Sequence, residues 1–517
     1  MSEISSYVNI IESKSGCKIP IFASGKSVDS RYDPYKESSR ICRTIKKESR
    51  FLIVTGIASG ILIQSILQSR PDVFILAIES SRTDLDFLRQ LELVKELEKN
   101  ERVSFAVFEN LKEKLLQLYI PSFYGNLQLI EQAGWILEKK DELPELQKII
   151  QNTLNQISAD YSVQAHFGKL WHHNIMSNLK LINKTQALPK LKDKLNTTAL
   201  ILGAGPGLES KIEEIKLHRN NYYLIATDTA FTILNNAHLI PDCVISLDGQ
   251  NISTRHFIHS NTDDYSNTLF LFDLTANPSA VRKALLYRGN LSFYISGHPL
   301  SHYINKSFDL KLPELFTGSG TVTISALDFA VKNGFSKILV FGADFAYLNG
   351  KAYAKGTYLD SLYNSKSSRF ISAEKQFDNL LFRTPLVKKS EKALTTSLLD
   401  SYRLSFESYL EMNKIKFLHK DNAYILDNPL SCPSLSTNFD IKKISSADSL
   451  QKEIAEKILN KTAAPQALYI YKKLAPELIS LLPLISWLRF YDNNNEADFS
   501  FYLQKAAAYF KKYLGGN

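Results

Sequence analysis

The residues best placed for chemistry follow a short apolar strand that the sequence predicts over Lys337 to Phe341. Asp344, Tyr347 and Tyr353 come directly after this strand, where the chain leaves the sheet. In open α/β sheets, ligands bind at this end of the strands. We therefore expect the aspartate and both tyrosines to face a ligand.

A loop of small residues lies one helix before the same strand. Gly318, Ser319, Gly320 and Thr321 lead into apolar residues at helical spacing, and the pattern ends at Asn333-Gly334. The first N–H groups of a helix have no partner within the helix, and the helix dipole is positive at that end. The loop therefore predicts an anion-binding half-site.

A second glycine-rich turn follows a buried-type strand that ends at Leu202. Its residues are Gly203, Gly205, Pro206 and Gly207. Glycine allows the backbone to approach a ligand closely, and proline suits an early helical position. We predict that these four residues bind a nucleotide through a backbone phosphate cradle.

Two carboxylates follow the next two predicted strands, Asp228 after Tyr222 to Ala226 and Asp248 after Cys243 to Leu247. At the ligand edge of a sheet they can accept hydrogen bonds from ribose hydroxyls or a base amine, or hold a magnesium ion. The alternative is that either aspartate caps the helix that follows it. We predict nucleotide contact for both.

The order of these elements predicts an α/β fold in three parts. Residues 1–165 are predicted to form an N-terminal α/β domain with connecting helices, 166–435 a Rossmann-like, doubly wound central domain, and 436–517 a C-terminal helical domain. The first domain contains a strand, a Gly56 to Gly60 turn and a second strand ending at Glu79. This is a weak nucleotide-binding outline, and a purely structural βαβ unit is the alternative.

The composition narrows the classes of partner. The 517 residues have a formal net charge of +9, which favours an anionic partner. The basic residues form no long tract and no aromatic-interleaved motif, so small phosphorylated ligands are favoured over nucleic acid. The start lacks the features of a secretory signal and no apolar run is long enough to span a bilayer, so we expect a cytoplasmic protein without membrane insertion. No cysteine or histidine cluster suggests a metal site.

Four segments, in their order and spacing, resemble one protein family. From about residue 166 to 430 the chain is similar to the motility-associated-factor (Maf) flagellin glycosyltransferases, which belong with the archaeal hydroxymethylpterin pyrophosphokinase-like proteins and are related to the bacterial CMP-sialic acid sialyltransferases. The segments are Leu202-Gly-Ala-Gly-Pro-Gly-Leu208, Ile225-Ala-Thr-Asp-Thr-Ala230, Pro241-Asp-Cys-Val-Ile-Ser-Leu-Asp248 and Phe341-Gly-Ala-Asp-Phe-Ala-Tyr-Leu-Asn-Gly-Lys-Ala-Tyr-Ala-Lys-Gly-Thr357.

The resemblance implies a reaction and a role for each group. The donor would be a CMP-activated nonulosonic acid, a sugar of the sialic acid type, and the acceptor a serine or threonine hydroxyl of flagellin. Tyr347 and Tyr353, six residues apart, would be the catalytic residues that bind the leaving phosphate. No further cofactor and no metal would be required. The general base stays unassigned, because no histidine follows Tyr353 before His419.

Two other functions stay open. A pyrophosphokinase would use ATP and magnesium on a pterin alcohol, with Asp228 and Asp248 as metal ligands. The long extensions on both sides of the central domain argue against it. A non-catalytic motility scaffold with a decayed pocket is the other alternative, and the intact glycines, aspartates and tyrosines argue against that.

Overall fold

The computed structural model describes most of the 517-residue chain. The described residues are 4–185, 197–258, 263–318, 320–390, 393–429, 446–463, 470–492, 494 and 497–514. Ser319 and the predicted domain boundary at 435 lie outside them.

The strands of the described chain are, in order, β1 (Tyr7–Glu12), β2 (Lys18–Phe22), β3 (Ser49–Thr55), β4 (Phe74–Glu79), β5 (Val103–Val107), β6 (Asn126–Glu131), β7 (Thr198–Leu202), β8 (Tyr222–Thr227), β9 (Cys243–Ser246), β10 (Leu269–Asp273), β11 (Asn290–Tyr294), β12 (Lys337–Phe341), β13 (Tyr347–Leu348), β14 (Val387–Lys388), β15 (Ala393–Thr395), β16 (Lys416–Lys420) and β17 (Ala423–Asp427).

The α-helices are α1 (Pro34–Cys42), α2 (Ile61–Ser69), α3 (Arg82–Leu88), α4 (Glu92–Glu98), α5 (Phe108–Leu118), α6 (Pro121–Tyr124), α7 (Ala133–Glu138), α8 (Leu143–Asn178), α9 (Ile212–Leu217), α10 (Asp228–Asn236), α11 (Pro278–Ala284), α12 (Pro299–Ser307), α13 (Val322–Lys332), α14 (Tyr358–Ser365), α15 (Ala373–Leu381), α16 (Ser397–Met412), α17 (Ala447–Ala463), α18 (Pro476–Ile479), α19 (Leu482–Asp492) and α20 (Phe499–Lys511). Within the described ranges, no helix combines the length and the apolar character needed to cross a bilayer.

The chain divides into two compact units. One comprises residues 1–169 with 455–517, and the other residues 170–454. The sequence predicted a separate helical domain at the C-terminus, whereas the C-terminal helices pack within the first unit. Phe499 lies 4.6 Å from the ring of Phe123, and Arg489 donates to the carbonyl of Ser122 at 2.9 Å. The apolar faces of these helices are therefore covered by the N-terminal segment of the chain.

The first unit contains a parallel sheet of four strands in the order β5-β4-β3-β6, together with the antiparallel hairpin β1-β2. Every residue of β4 is buried, as expected for a strand covered by helices on both faces. The predicted N-terminal α/β arrangement is confirmed.

The second unit contains an eight-stranded sheet in the order β11-β10-β9-β8-β7-β12-β17-β16. The strands from β11 to β12 run parallel, while β17 and β16 add antiparallel at one edge. Strand order reverses beside β7, because β8 flanks it on one side and β12 on the other. The predicted Rossmann-like, doubly wound fold is confirmed, and its switch point lies between β7 and β12.

The loops that leave β7 and β12 are joined backbone to backbone. Gly203 N–H donates to the carbonyl of Phe341 and Gly205 N–H to the carbonyl of Gly342, both at 2.8 Å. A Cβ at Gly203 would lie only 2.4 Å from the carbonyl oxygen of Gly342. Two loops can approach this closely only where side chains are absent. The glycines of the turn are therefore required by packing between the two loops.

We expect Gly205→Ala to destabilise the second unit. The new methyl would lie 2.3 Å from Oδ2 of Asp344 and 2.7 Å from the carbonyl oxygen of Gly342. Gly205 has φ −68°, which alanine adopts freely, so the effect is steric. Urea denaturation should show a loss of about 1–3 kcal/mol in the free energy of unfolding.

Gly297→Ala is the matched control, because nothing lies within 4 Å of a Cβ at that position. Equal stability of the two variants would contradict the proposed contact between the loops.

Candidate functional site

A cavity of about 400 Å³ opens at the carboxyl ends of β7, β8 and β12. This is the place where ligands bind in open α/β sheets. Its volume falls within the range of small-molecule sites. The predicted site residues that line it are Gly203, Gly205, Asp228, Thr321, Asp344, Tyr347 and Tyr353.

Five other predicted site residues are described but do not line the cavity: Pro206, Gly207, Asp248, Gly318 and Gly320. Gly318 and Gly320 have positive φ, +53° and +84°, and form the turn that leads to Thr321. Their role in the structure is to shape this turn.

The glycine turn after β7 differs from the expected phosphate cradle. Gly203 and Gly205 use their N–H groups on the β12 loop, and Gly207 N–H donates to Oδ2 of Asp344 at 2.8 Å. The chain then enters a 3-10 helix, Pro206–Lys211, before α9 begins. The amides of all three glycines are thus bonded within the protein, so the prediction that they cradle a phosphate is wrong for these groups.

Three α-helices begin at the cavity instead. The first turns of α10, α13 and α16 line it, and each helix has a threonine as its N-cap: Thr227, Thr321 and Thr396. Each threonine oxygen accepts one backbone N–H, at 3.1–3.4 Å. Because each cap satisfies only one of the first N–H groups of its helix, other N–H groups remain at each helix start. The positive ends of three helices therefore face one cavity.

Asp228 is the first residue of α10 and is almost fully buried. Its Oδ2 accepts the hydroxyl of Ser246 at 2.7 Å, and its Oδ1 accepts Thr229 N–H at 2.7 Å. The cap of this helix is Thr227, so the alternative that Asp228 is the N-cap is wrong. The carboxylate is held in a fixed position at the wall of the cavity.

Asp248 caps a local turn. Its Oδ1 accepts Gln250 N–H at 2.9 Å, and burial raises the pKa of this carboxyl. The nearby charge of Asp228 raises it further. Within the described part of the chain, no group of three or more histidine, cysteine, aspartate or glutamate side chains is arranged to hold a metal ion.

Asp344 lies beneath the glycine turn. Its Oδ2 accepts the Gly207 N–H, while its Oδ1 is buried without a hydrogen-bond partner in the described structure. Burial raises the pKa of Asp344 to about 6, although the Gly207 N–H and Lys389 favour the charged form. This carboxyl connects the β12 loop to the glycine turn and is a positioning group.

The two tyrosines occupy the loop that crosses the cavity. Tyr347 lies in β13, which pairs with β15, and its side chain is buried. Tyr353 is more exposed, and desolvation raises the pKa of its hydroxyl. Neither hydroxyl has a hydrogen-bond partner among the described residues. Both phenol groups are therefore free to donate to a ligand.

Glu209 anchors this loop on the glycine turn. Its carboxylate accepts Lys351 Nζ at 2.7 Å and Lys355 N–H at 2.7 Å, and Ala354 N–H donates to the carbonyl of Ala204 at 2.9 Å. Glu209 follows the glycine turn in the sequence, but only the folded chain shows that it positions Tyr353.

Sequence reasoning missed one wall of the cavity, which is formed by residues 383–384 and by residues between 396 and 402. Arg383, Tyr402 and the start of α16 line it. Arg383 acts electrostatically on both Tyr353 and Tyr402, where its charge opposes the rise in their pKa. Thr396 before a helical apolar pattern is the one sequence signal that could have indicated a helix end here.

In the first unit, side chains of the protein fill the space beside the Gly56 to Gly60 turn, where the sequence contains a weak nucleotide-binding signal. Glu79 is fully buried, and it accepts Nε1 of Trp135 at 2.7 Å and the hydroxyl of Tyr7 at 3.3 Å. Trp135 also packs on Gly56, where a Cβ would lie 2.6 Å from its ring. Burial raises the pKa of Glu79 to about 7. These contacts favour the alternative that this βαβ unit is purely structural.

Part of the second unit is similar to a known protein family. The model of the 6-hydroxymethylpterin diphosphokinase MptE-like family matches residues 173–350. This range includes the glycine turn and Tyr347, and it ends before Tyr353. Among solved structures, a MAf glycosyltransferase from Magnetospirillum magneticum AMB-1 matches with a TM-score of 0.48 and 13% identity, over 99% of this chain and 87% of that one.

Two uncharacterized proteins of Treponema pallidum (strain Nichols) are similar in sequence. The first is 38% identical over 168 residues, and this chain spans 59% of its length. The second is 36% identical over 163 residues, and this chain spans 77% of its length. The matched residues make up 32% and 31% of this chain. The chain belongs to the same family as the second of these proteins, and it contains an MptE-like domain.

We expect Asp344→Asn to change how stability depends on pH. In the folded protein the pKa of Asp344 is about 6, against 3.8 for a free side chain, so the native state binds this proton more tightly than the unfolded state. The contribution of Asp344 to stability is therefore present at pH 4 and is lost as the pH rises through 6. Asparagine does not titrate. Urea denaturation at pH 4.5, 5.5 and 7 should show the wild type losing stability relative to the variant, and parallel curves would contradict the raised pKa.

Proposed function

We propose that the second unit is a glycosyltransferase that transfers a nonulosonic acid from a CMP-activated donor to a serine or threonine hydroxyl. The observation that supports this most is the convergence on one cavity of three helix N-termini, Arg383 and two tyrosine hydroxyls that have no hydrogen-bond partner among the described residues. Each of these groups favours negative charge in the ligand. An anionic ligand with a phosphate is the chemistry that such a site recognises best.

The cavity also suits the nucleoside part of the donor. Asp228 is fixed at the wall by Ser246 and Thr229, and its carboxylate can accept hydrogen bonds from ribose hydroxyls or the cytosine amine. Thr321 and Thr323 at the start of α13 bring small hydroxyl groups to the same space. We assign nucleotide contact to Asp228 and to this helix start.

Departure of CMP explains why phenol donors and helix ends suit the reaction. As the bond between the anomeric carbon and the phosphate oxygen breaks, negative charge grows on the phosphate and the sugar becomes oxocarbenium-like. Donors that are already in place stabilise that charge without reorganisation. Tyr347 and Tyr353 would act on the leaving phosphate, together with the positive helix ends. A monophosphate leaving group does not need a divalent cation in this scheme.

The acceptor and the location follow from the family resemblance. Flagellin before export would present serine or threonine hydroxyls to a cytoplasmic enzyme. The acceptor oxygen forms the new bond to the anomeric carbon as the bond from that carbon to the phosphate oxygen breaks, and the hydroxyl proton passes to water while CMP departs. The substrates are thus a nucleotide sugar and a protein, and no further cofactor takes part.

A pyrophosphokinase is the second candidate, and the description of the matching family model favours it. This reaction needs ATP and magnesium, with Asp228 and Asp248 as metal ligands. In the structure only Asp228 lines the cavity, while Asp248 bonds to the turn at Gln250. The two carboxylates would have to be brought together by the metal.

A panel of nucleotides distinguishes the two functions. We expect CMP and CDP to raise the melting temperature in the absence of magnesium, because the helix ends and Arg383 supply the charge that the phosphate needs. Thermal shift with CMP, CDP, UDP and ATP, each with and without magnesium, is the measurement. If ATP together with magnesium is the one combination that stabilises the protein, the glycosyltransferase is rejected in favour of the kinase.

Tyr347→Phe and Tyr353→Phe should slow the reaction much more than they weaken donor binding. The bond from each hydroxyl strengthens only as charge develops on the phosphate, so its loss is expected to lower turnover by about 10²–10³. Single-turnover rates and the Kd of a CMP-activated nonulosonic acid should be measured together.

Tyr222→Phe is the control for these variants, because Tyr222 is the first residue of β8 and the cavity lies at the other end of this strand. If both cavity variants keep turnover within about threefold of wild type, the tyrosines have only a packing role.

A further inference from the structure

A second cavity lies in the first unit, at the edge of the sheet where β3 and β6 begin. Its volume is about 490 Å³. Residues of α8 and of the C-terminal helices complete its wall. These are the amino ends of the strands, whereas Glu79 lies at the carboxyl end of β4. The cavity is therefore separate from the filled space at Glu79.

Arg489 is the main charged group of this cavity. Its guanidinium donates to three carbonyl oxygens, those of Ser122 at 2.9 Å, Phe123 at 3.2 Å and Ala497 at 3.2 Å. The guanidinium also lies over the ring of Tyr502, 4.5 Å from its centre. Among the described residues no carboxylate forms an ion pair with Arg489.

The positive charge of Arg489 is half-buried, with no described carboxylate within ion-pair distance. The carbonyls of α6 offset part of it, because they lie at the negative end of that helix. Desolvation lowers the pKa of Arg489 and the charge of Arg50 contributes in the same direction, while Tyr502, Tyr161 and Asp498 act against this shift. Arginine has five N–H donors, and three hydrogen bonds leave donors available for an anion. A planar guanidinium recognises phosphate especially well.

Three tyrosines line the same cavity as Arg489. The hydroxyls of Tyr119 and Tyr502 donate to the carbonyls of Gly125 and Asn494, at 2.8 and 3.0 Å. The hydroxyl of Tyr161 makes no hydrogen bond with the described residues, although Arg489 acts on its pKa electrostatically. Tyr161 can therefore donate to the same anion as Arg489. Lys46 and Glu48, of opposite charge, also line the cavity.

We propose that this cavity binds a small molecule of sugar-phosphate size, with its phosphate held by Arg489 and Tyr161. The volume exceeds what inorganic phosphate alone would fill, and the tyrosine rings with Leu154 and Ile157 provide a wall for the rest of the ligand. Aromatic and apolar walls with a few fixed polar groups are typical of small-molecule sites. The site is independent of the transferase proposed for the other unit.

Calorimetric titration of the full chain with three matched probes tests the proposal. Glucose 6-phosphate, glucuronate and glucose share a pyranose ring and differ in the anion. We expect glucose 6-phosphate to bind at least about tenfold more tightly than the other two, because its phosphate carries more negative charge than a carboxylate and presents three terminal oxygens to the two donors. Equal binding of glucuronate would overturn the choice of phosphate, and absence of binding would overturn the site.

Variants locate the binding. Tyr161→Phe removes one hydroxyl and should weaken binding of glucose 6-phosphate by about tenfold. Arg489→Gln should weaken it further, but this residue also holds three carbonyls, so Tyr161→Phe is the decisive variant. Arg383→Gln alters the cavity of the second unit and should leave the affinity unchanged. Unchanged affinity in Tyr161→Phe, or its loss in Arg383→Gln, would reject the assignment to this cavity.

Discussion

The backbone contact between the glycine turn after β7 and the loop after β12 is the constraint on which the candidate site depends. Two amide–carbonyl bonds and the bond from Gly207 to Asp344 hold the loops together. The same contact sets the course of the chain beyond β12. Ala354 and Lys355 bond back to the turn, so Tyr353 is positioned by groups that a ligand need not touch.

This contact gives the three glycines a structural role. A glycine-rich turn after a strand is usually interpreted as a place where backbone approaches a ligand. Here the backbone approaches another loop, and a Cβ at any of the three glycines would lie within 2.6 Å of that loop. The glycines thus serve the site indirectly, by allowing two strands at the switch point to carry their loops into contact.

Three helix N-termini, rather than the amides of the glycine turn, face the cavity. The caps Thr227, Thr321 and Thr396 come from segments far apart in the chain, and all three helices begin at one cavity. The first of these helices follows β8, whose carboxyl end lies beside that of β7. In the first unit the carboxylate at the end of β4 is satisfied within the protein, because Glu79 accepts hydrogen bonds from Trp135, from Tyr7 and from the N–H groups of Ile57 and Ser80. Similar strand orders thus give an open site in one unit and a closed one in the other.

The sequence by itself determined the α/β class, the buried strands β7 and β12, and the edge of the sheet where Asp228, Asp344 and the tyrosines lie. These follow from local patterns, since apolar runs and the residues after them define strand ends. Only the tertiary structure decided which groups share the cavity. Asp248 accepts the Gln250 N–H, and the glycine amides donate to the loop after β12. Arg383, from a distant segment of the chain, lines the cavity. The physical reason is that hydrogen-bond partners and electrostatic neighbours are set by contacts between loops distant in sequence, which no local spacing specifies.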